Sequence, residues 1–169
     1  MTAEPGTKSF TTKQSAAAEK KHKLLVEQEC CKYPRIEIKK GVPIEELTSG
    51  NNPYSLMKNG ESQSWFADGG WIYVDGKLAG VAECKYQGKR PNACERACRY
   101  LTVFNTEPHR IFVSSYGPGF VKLNGGGATG PFIDMTRHCG MVVLENPTNE
   151  EFRSGLQSWI EGLLERREK

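Results

Sequence analysis

The sequence contains no run of about 18 apolar residues, the length a bilayer-spanning helix needs, and residues 1–15 lack the apolar core of a secretory signal. These absences predict a soluble, cytoplasmic protein. There is no Cys-x-x-Cys, and the three histidines stand far apart, so the six cysteines carry no zinc-finger signature. In a reducing compartment such thiols pack as small apolar side chains. Structural zinc stays open as an alternative at Cys94 and Cys98, which lie four apart on an expected helix. The glycine-rich segment 124–130 has no following Lys-Ser/Thr and no strand-to-helix context, so it reads as a surface loop and not as a phosphate cradle. Nor is there a strong excess of one charge. The formal net charge is only +3, too small to mark a nucleic-acid binder by itself.

What is present fits one domain. A chain of 169 residues with 37% hydrophobic content is long enough to bury a core. Residues 1–10, polar and with Pro5 and Gly6, are expected to be a disordered tail, and residues 11–169 a single folded unit. Helix is expected over residues 13–31, where three consecutive alanines occur and no glycine or proline intervenes, and again over 43–48. The basic cluster Lys20-Lys21-His22-Lys23 on the first helix reads either as a solvated face or as a contact to a phosphate backbone. Trp71 to Val74 and Leu78 to Lys85 flank Asp75-Gly76, the preferred pair for a two-residue turn, and predict a β-hairpin.

Downstream, Asn92 with Glu95 three residues later predicts a capped helix over residues 92–104. An inner strand is expected over 109–115, a short helix over 131–138 and a buried strand over 141–144. The clearest periodic element comes last. Thr148-x-x-Glu151 is a capping box, and Phe152, Leu156, Trp159, Ile160, Leu163 and Leu164 repeat at helical spacing. Together these elements predict an α/β fold with a mixed β-sheet flanked by helices.

The chemistry concentrates around the hairpin. Asp68 precedes the first strand, and Glu83-Cys84-Lys85 ends the second. Residues two apart on a strand point to the same side, so Lys85 shares a face with Glu83. Two carboxylates can hold a hard cation through oxygen, and an ammonium beside them can stabilise a phosphate. The plain alternative is an exposed cross-strand charge pattern. Asp75 competes as a ligand, but its place before Gly76 gives it the turn role. From Lys85 to Arg110, six Lys and Arg face only Glu95 and Glu107, leaving +4 beside these residues.

The order Asp68-Gly69-Gly70, then Glu83-Cys84-Lys85-Tyr86-Gln87-Gly88-Lys89, then Asn92-Ala93-Cys94-Glu95-Arg96 resembles the EcoRI family of type II restriction endonucleases, within the PD-(D/E)XK nuclease superfamily. The resemblance is close over residues 68–100 and looser through His109 to Val113, Asp134 and Gly140-Met141. It implies a restriction-endonuclease-like core and catalytic roles for Asp68, Glu83 and Lys85. Mg²⁺ would be held by Asp68, Glu83 and the backbone carbonyl of Cys84. It further implies DNA contacts by Asn92, Ala93 and Arg96, with Glu95 orienting the arginine. Gln87, Lys89 and Arg90 border that segment as further DNA contacts, Lys89 and Arg90 to phosphates, and Arg137 and His138 are candidate phosphate contacts. Two departures from the family pattern are visible. Ala67 stands where proline is usual, and only four residues separate Gln87 from Asn92 where the relative carries a long DNA-embracing arm.

The implied activity is Mg²⁺-dependent, sequence-specific cleavage of double-stranded DNA at a short palindrome by a homodimer. A partner DNA methyltransferase would protect the host. Two rivals remain at this stage. One is a homing or repair nuclease of the same superfamily. The other is a DNA-binding or zinc-stabilised module in which the acidic pair is structural.

Overall fold

The computed structural model describes residues 8–47, 63–86, 99–117 and 137–167, with the side chains of the first helix described from Lys13. Along the chain run α1 (Lys8–Cys30), β1 (Ile36–Pro43), α2 (Ile44–Leu47), β2 (Ser64–Val74), β3 (Lys77–Tyr86), β4 (Ile111–Tyr116), β5 (Val142–Glu145) and α3 (Asn149–Glu165). Short 3₁₀ turns at Arg99–Thr102 and Pro108–Arg110 precede β4. The five strands form one mixed sheet in the order β1-β2-β3-β4-β5. The first three are mutually antiparallel, whereas β4 runs parallel to both β3 and β5. The fold is therefore α/β with a five-stranded mixed sheet flanked by helices, as the sequence pattern predicts. No described helix is long and apolar enough to cross a membrane.

The hairpin follows from its turn. Asp75 and Gly76 adopt φ of 50° and 74°, the left-handed pair that matches the twist of the flanking strands, and Val74 faces Lys77 across it. Alternation along β2 then divides the core. Trp71 and Tyr73 enter one cluster with Val81, Ile111, Val113, Tyr100 and Phe104. Ile72 and Val74 enter the other, with Ala82 and Phe112, where α1 and α3 cover the sheet. The α3 stripe of Phe152, Leu156, Trp159, Ile160 and Leu163 is buried there. Each large apolar side chain so buried contributes about 1.5–3 kcal/mol. The Thr148 hydroxyl accepts from the Glu151 N–H at 3.2 Å, and the Glu151 carboxylate accepts from the Thr148 N–H at 2.8 Å. That reciprocal cap fixes where α3 begins.

Several expectations need correction. Helix α1 begins at Lys8 and not at residue 13, and residues 1–7 lie outside the described residues. Strand β2 begins at Ser64 and not at Trp71, because its first residues pair with β1 (Phe66 with Gly41, Trp65 with Val42). β1 itself is an element the sequence reading passed over. Of the helix expected over 92–104, residues 92–98 lie outside the described residues, and residues 99–104 form the 3₁₀ turn Arg99–Thr102 followed by a bend. Pro108 sets a second such turn, so His109 and Arg110 precede the strand instead of opening it. The helix expected over 131–138 is described only at Arg137 and His138, and the loop 124–130 lies outside the described residues.

Candidate active site

Asp68, Glu83 and Lys85 come together at the end of the hairpin opposite the Asp75-Gly76 turn. Parallel pairing sets Glu83, Cys84 and Lys85 beside Val113, Ser114 and Ser115 of β4. From Val81 onward, beyond a bulge in the hairpin, the odd-numbered residues of β3 share one face, so the Glu83 and Lys85 side chains meet as an ion pair. Across the strand, Lys85 Nζ lies 2.9 Å from Asp68 Oδ2. One ammonium thus bridges the two carboxylates, and the Asp68 N–H donates to Glu83 Oε2 at 3.4 Å. Asp75 stands apart from this cluster. Its Oδ2 pairs with Arg35 at 2.6 Å beside the turn.

Glu83 is only 3% exposed, and the Tyr100 hydroxyl donates to its Oε2. Tyr100 is in turn stacked on Trp65, with ring centroids 5.0 Å apart and an interplanar angle of 15°. This phenol is a site residue that sequence reasoning missed. Nothing local announces a partnership between residues on separate elements. Burial pushes the Glu83 carboxyl up to about 7, Lys85 opposes that, and Asp68 adds to it. Burial works against the Lys85 ammonium, yet contact with Glu83 and then Asp68 carries its pKa above the ordinary lysine value. The phenol of Tyr100 is raised first by burial and then by Glu83.

Binding of a cation would favour the ionised form of Glu83, and with both carboxylates charged the cluster would carry one negative charge more than Lys85 balances, at a largely buried place. A divalent cation is the simplest neutraliser of that excess, and the donors present are the hard oxygens that Mg²⁺ prefers. Asp68 and Glu83 already converge on one cationic atom, so the residues fit such an ion. Among the described residues no group of three or more His, Cys, Asp and Glu side chains forms a metal site. The described side chains would offer such an ion two carboxylates, to be completed by backbone oxygen or water.

Behind Asp68, the glycines of Asp68-Gly69-Gly70 serve close approach. A Cβ on Gly69 would lie 2.9 Å from the Ala82 carbonyl oxygen and would collide with His22 Nε2. Gly70 has a φ of 102°, which favours glycine. His22 comes from the basic cluster of α1 but is fully buried, hydrogen-bonded through Nδ1 to Ser114 Oγ, with Nε2 lacking a partner. Burial holds its pKa down at about 3, Asp68 opposing and Lys85 assisting. His22 is thus a neutral wedge under the aspartate loop, whereas its neighbours Lys20, Lys21 and Lys23 are exposed.

Of the other sequence-predicted residues, Gln87, Lys89, Arg90, Asn92, Ala93, Glu95 and Arg96 fall outside the described residues, as do Cys94 and Cys98. Arg137 is described, 3.2 Å from both the Val143 carbonyl and Glu145 Oε2. Cys84 is buried and its thiol pKa is raised chiefly by that burial. Compared with family models, curated proteins and solved structures, the chain matches none.

The two buried groups pull stability in opposite directions with pH. The folded chain keeps a proton on Glu83 that an unfolded carboxyl, near 4.5, releases. This contribution is full below about 4.5 and is lost as pH rises through about 7. His22 stays neutral while the unfolded imidazole, near 6.5, takes up a proton, so its contribution is full above 6.5 and is lost as pH falls toward 3. Glu83→Gln removes only the first effect. In EDTA, the melting temperature of Glu83→Gln relative to wild type should be higher at pH 8 than at pH 5. An unchanged difference at the two pH values would mean that Glu83 is ordinarily ionised in the fold.

Proposed function

We propose that the chain is a Mg²⁺-dependent endonuclease of the PD-(D/E)XK type that hydrolyses phosphodiester bonds in double-stranded DNA. The observation that carries the reading is the meeting of Asp68, Glu83 and Lys85 around one cationic centre at the end of a hairpin. Asp68 and Glu83 would hold Mg²⁺, with the Cys84 carbonyl as a further donor. Bound there, the ion would neutralise charge at a scissile phosphate and make its water more acidic. Lys85 moves its ammonium from the carboxylates to a non-bridging phosphate oxygen, where it stabilises the pentacovalent transition state. Tyr100 holds Glu83 in orientation by donating to the oxygen that does not contact Lys85.

The finer reading is a type II restriction enzyme. It rests on the resemblance over residues 68–100 and on Asn92, Ala93 and Arg96 as base-reading side chains. In that arrangement Gln87, Lys89, Arg90 and Arg137 meet the phosphate backbone. One site cuts one strand, so a palindrome read by two protomers requires a homodimer, and a companion DNA methyltransferase would protect the host genome.

Incubating the purified chain with plasmid and sequencing the ends tests both levels. Mg²⁺ or Mn²⁺ should support cutting, and Ca²⁺ should support DNA binding without it, because the larger ion tolerates geometries unsuited to in-line attack. Discrete fragments would support the restriction reading, and smearing a homing, repair or broader nuclease. No cutting with any divalent metal would return the cluster to a structural ion triad in a DNA-binding module.

A further inference from the structure

We infer that Phe66 is a stacking platform for a nucleobase of the substrate strand beside the scissile phosphate, an inference that rests on the nuclease reading above. Phe66 is 64% exposed, although it is paired within β2 and stands only two residues before Asp68. Among the described residues the other exposed large hydrophobic side chain is Leu24, on α1. The Phe66 ring is seated rather than loose. It lies against Gly41 of β1, where a Cβ would come within 2.7 Å of it, so bare backbone supports one side and leaves the rest open to solvent. A ring already fixed in place loses little conformational freedom when a ligand stacks on it.

Its surroundings select the ligand. Phe66 lines a cleft of about 240 Å³ together with Trp65, Glu83, Lys85, Arg99 and Tyr100. Arg99 is exposed and forms no ion pair with a described residue, and Lys85 sits in the same wall. A flat apolar ring flanked by a guanidinium and an ammonium matches a nucleotide, which offers a π-face and an anion side by side. Stacking of a base on an aromatic side chain changes affinity roughly 5- to 150-fold and tolerates any base. Interior bases of a closed duplex have both faces covered by their neighbours. The ring therefore engages a strand with an unstacked base next to the cut, as at an end, a nick, a mismatch or a displaced nucleotide.

The full chain in Ca²⁺ can be titrated with a fluorescent DNA hairpin carrying a single-stranded tail and with the closed hairpin of the same stem. Wild type should bind the tailed DNA at least about fivefold more tightly. Phe66→Ala and Phe66→Leu should lose that preference, and Phe66→Trp should keep it, since leucine preserves apolar bulk without a π-face. The side chain is exposed, so these changes leave the core intact, and melting temperatures check this. A Phe66→Leu variant that retains the preference, an equal loss on both DNAs, or no DNA binding by wild type overturns the stacking role. Cleavage of the same DNAs in Mg²⁺ is scored separately. Cutting without ring dependence overturns the stacking site alone, whereas ring-dependent binding without any cutting overturns the nuclease reading and leaves a nucleotide site.

Discussion

Asp68→Ala and Glu83→Ala should each lower DNA cleavage by about three orders of magnitude or more, because a lost carboxylate removes both charge and geometry from a set that acts as a unit. Lys85→Ala should be as inactive for a different reason. It leaves both carboxylates in place, so Mg²⁺ binding should persist and should strengthen, the ammonium that bridges Asp68 and Glu83 no longer competing for their oxygens. Isothermal calorimetry on the free protein separates the two kinds of failure. Asp75→Asn is the contrasting variant. That carboxylate pairs with Arg35 at the far end of the hairpin, so cleavage should stay close to wild type. An Asp75→Asn protein as inactive as Glu83→Ala, beside an active Asp68→Ala, would show that the ligands are assigned to the wrong end. Plasmid cleavage under single-turnover conditions measures all four.

The features legible in the sequence were those that short-range physics decides. Asp75-Gly76 dictates a two-residue turn, Thr148 with Glu151 dictates a helix start, and a period of 3.6 dictates which face of α3 is buried. The turn sets the register only as far as Tyr73 and Leu78, beyond which a bulge shifts it by one residue, yet an antiparallel hairpin still brings Glu83 near Asp68 as expected. β1 was less legible. Ile36-Glu37-Ile38-Lys39 alternates, but it is short and its strand state depends on pairing with β2, a segment remote in sequence. The early start of β2 was hidden by Gly69 and Gly70, which read as punctuation. The cause at Gly69 is a histidine from α1 packed beneath it, and at Gly70 a positive φ and the close approach of Ile38 from β1. The contact of His22 with Ser114 spans 92 positions, and that of Tyr100 with Glu83 joins a 3₁₀ turn to a strand. Such partnerships are products of tertiary packing, and the residue types alone do not announce them.

Trp71 is where core and site are mechanically joined, and Trp71→Ala should be the most damaging change outside the carboxylate cluster. The side chain is fully buried, and its indole N–H donates to the Trp65 carbonyl at 2.8 Å. Its ring meets Trp65 and Tyr100 edge to face, at centroid distances of 5.6 and 5.4 Å, and Phe104 at 6.4 Å. Truncation removes these contacts and leaves a cavity, which typically costs about 3–5 kcal/mol. For a chain of this size the melting temperature should fall by roughly 10 °C. The effect should not stop at stability. Trp71 packs against the Tyr100 ring whose hydroxyl holds Glu83, so the surviving folded protein should also cleave DNA more slowly. Trp71→Phe separates the two contributions. It keeps an aromatic ring against Tyr100 but deletes the indole hydrogen bond to the Trp65 carbonyl, at about 0.5–1.5 kcal/mol. Its melting temperature should therefore fall less, and its cleavage rate should lie nearer to wild type. Thermal denaturation paired with single-turnover cleavage below each variant's transition decides the matter. A Trp71→Ala protein that melts earlier yet cuts at the wild-type rate would mean that Tyr100 keeps Glu83 in place without support from behind.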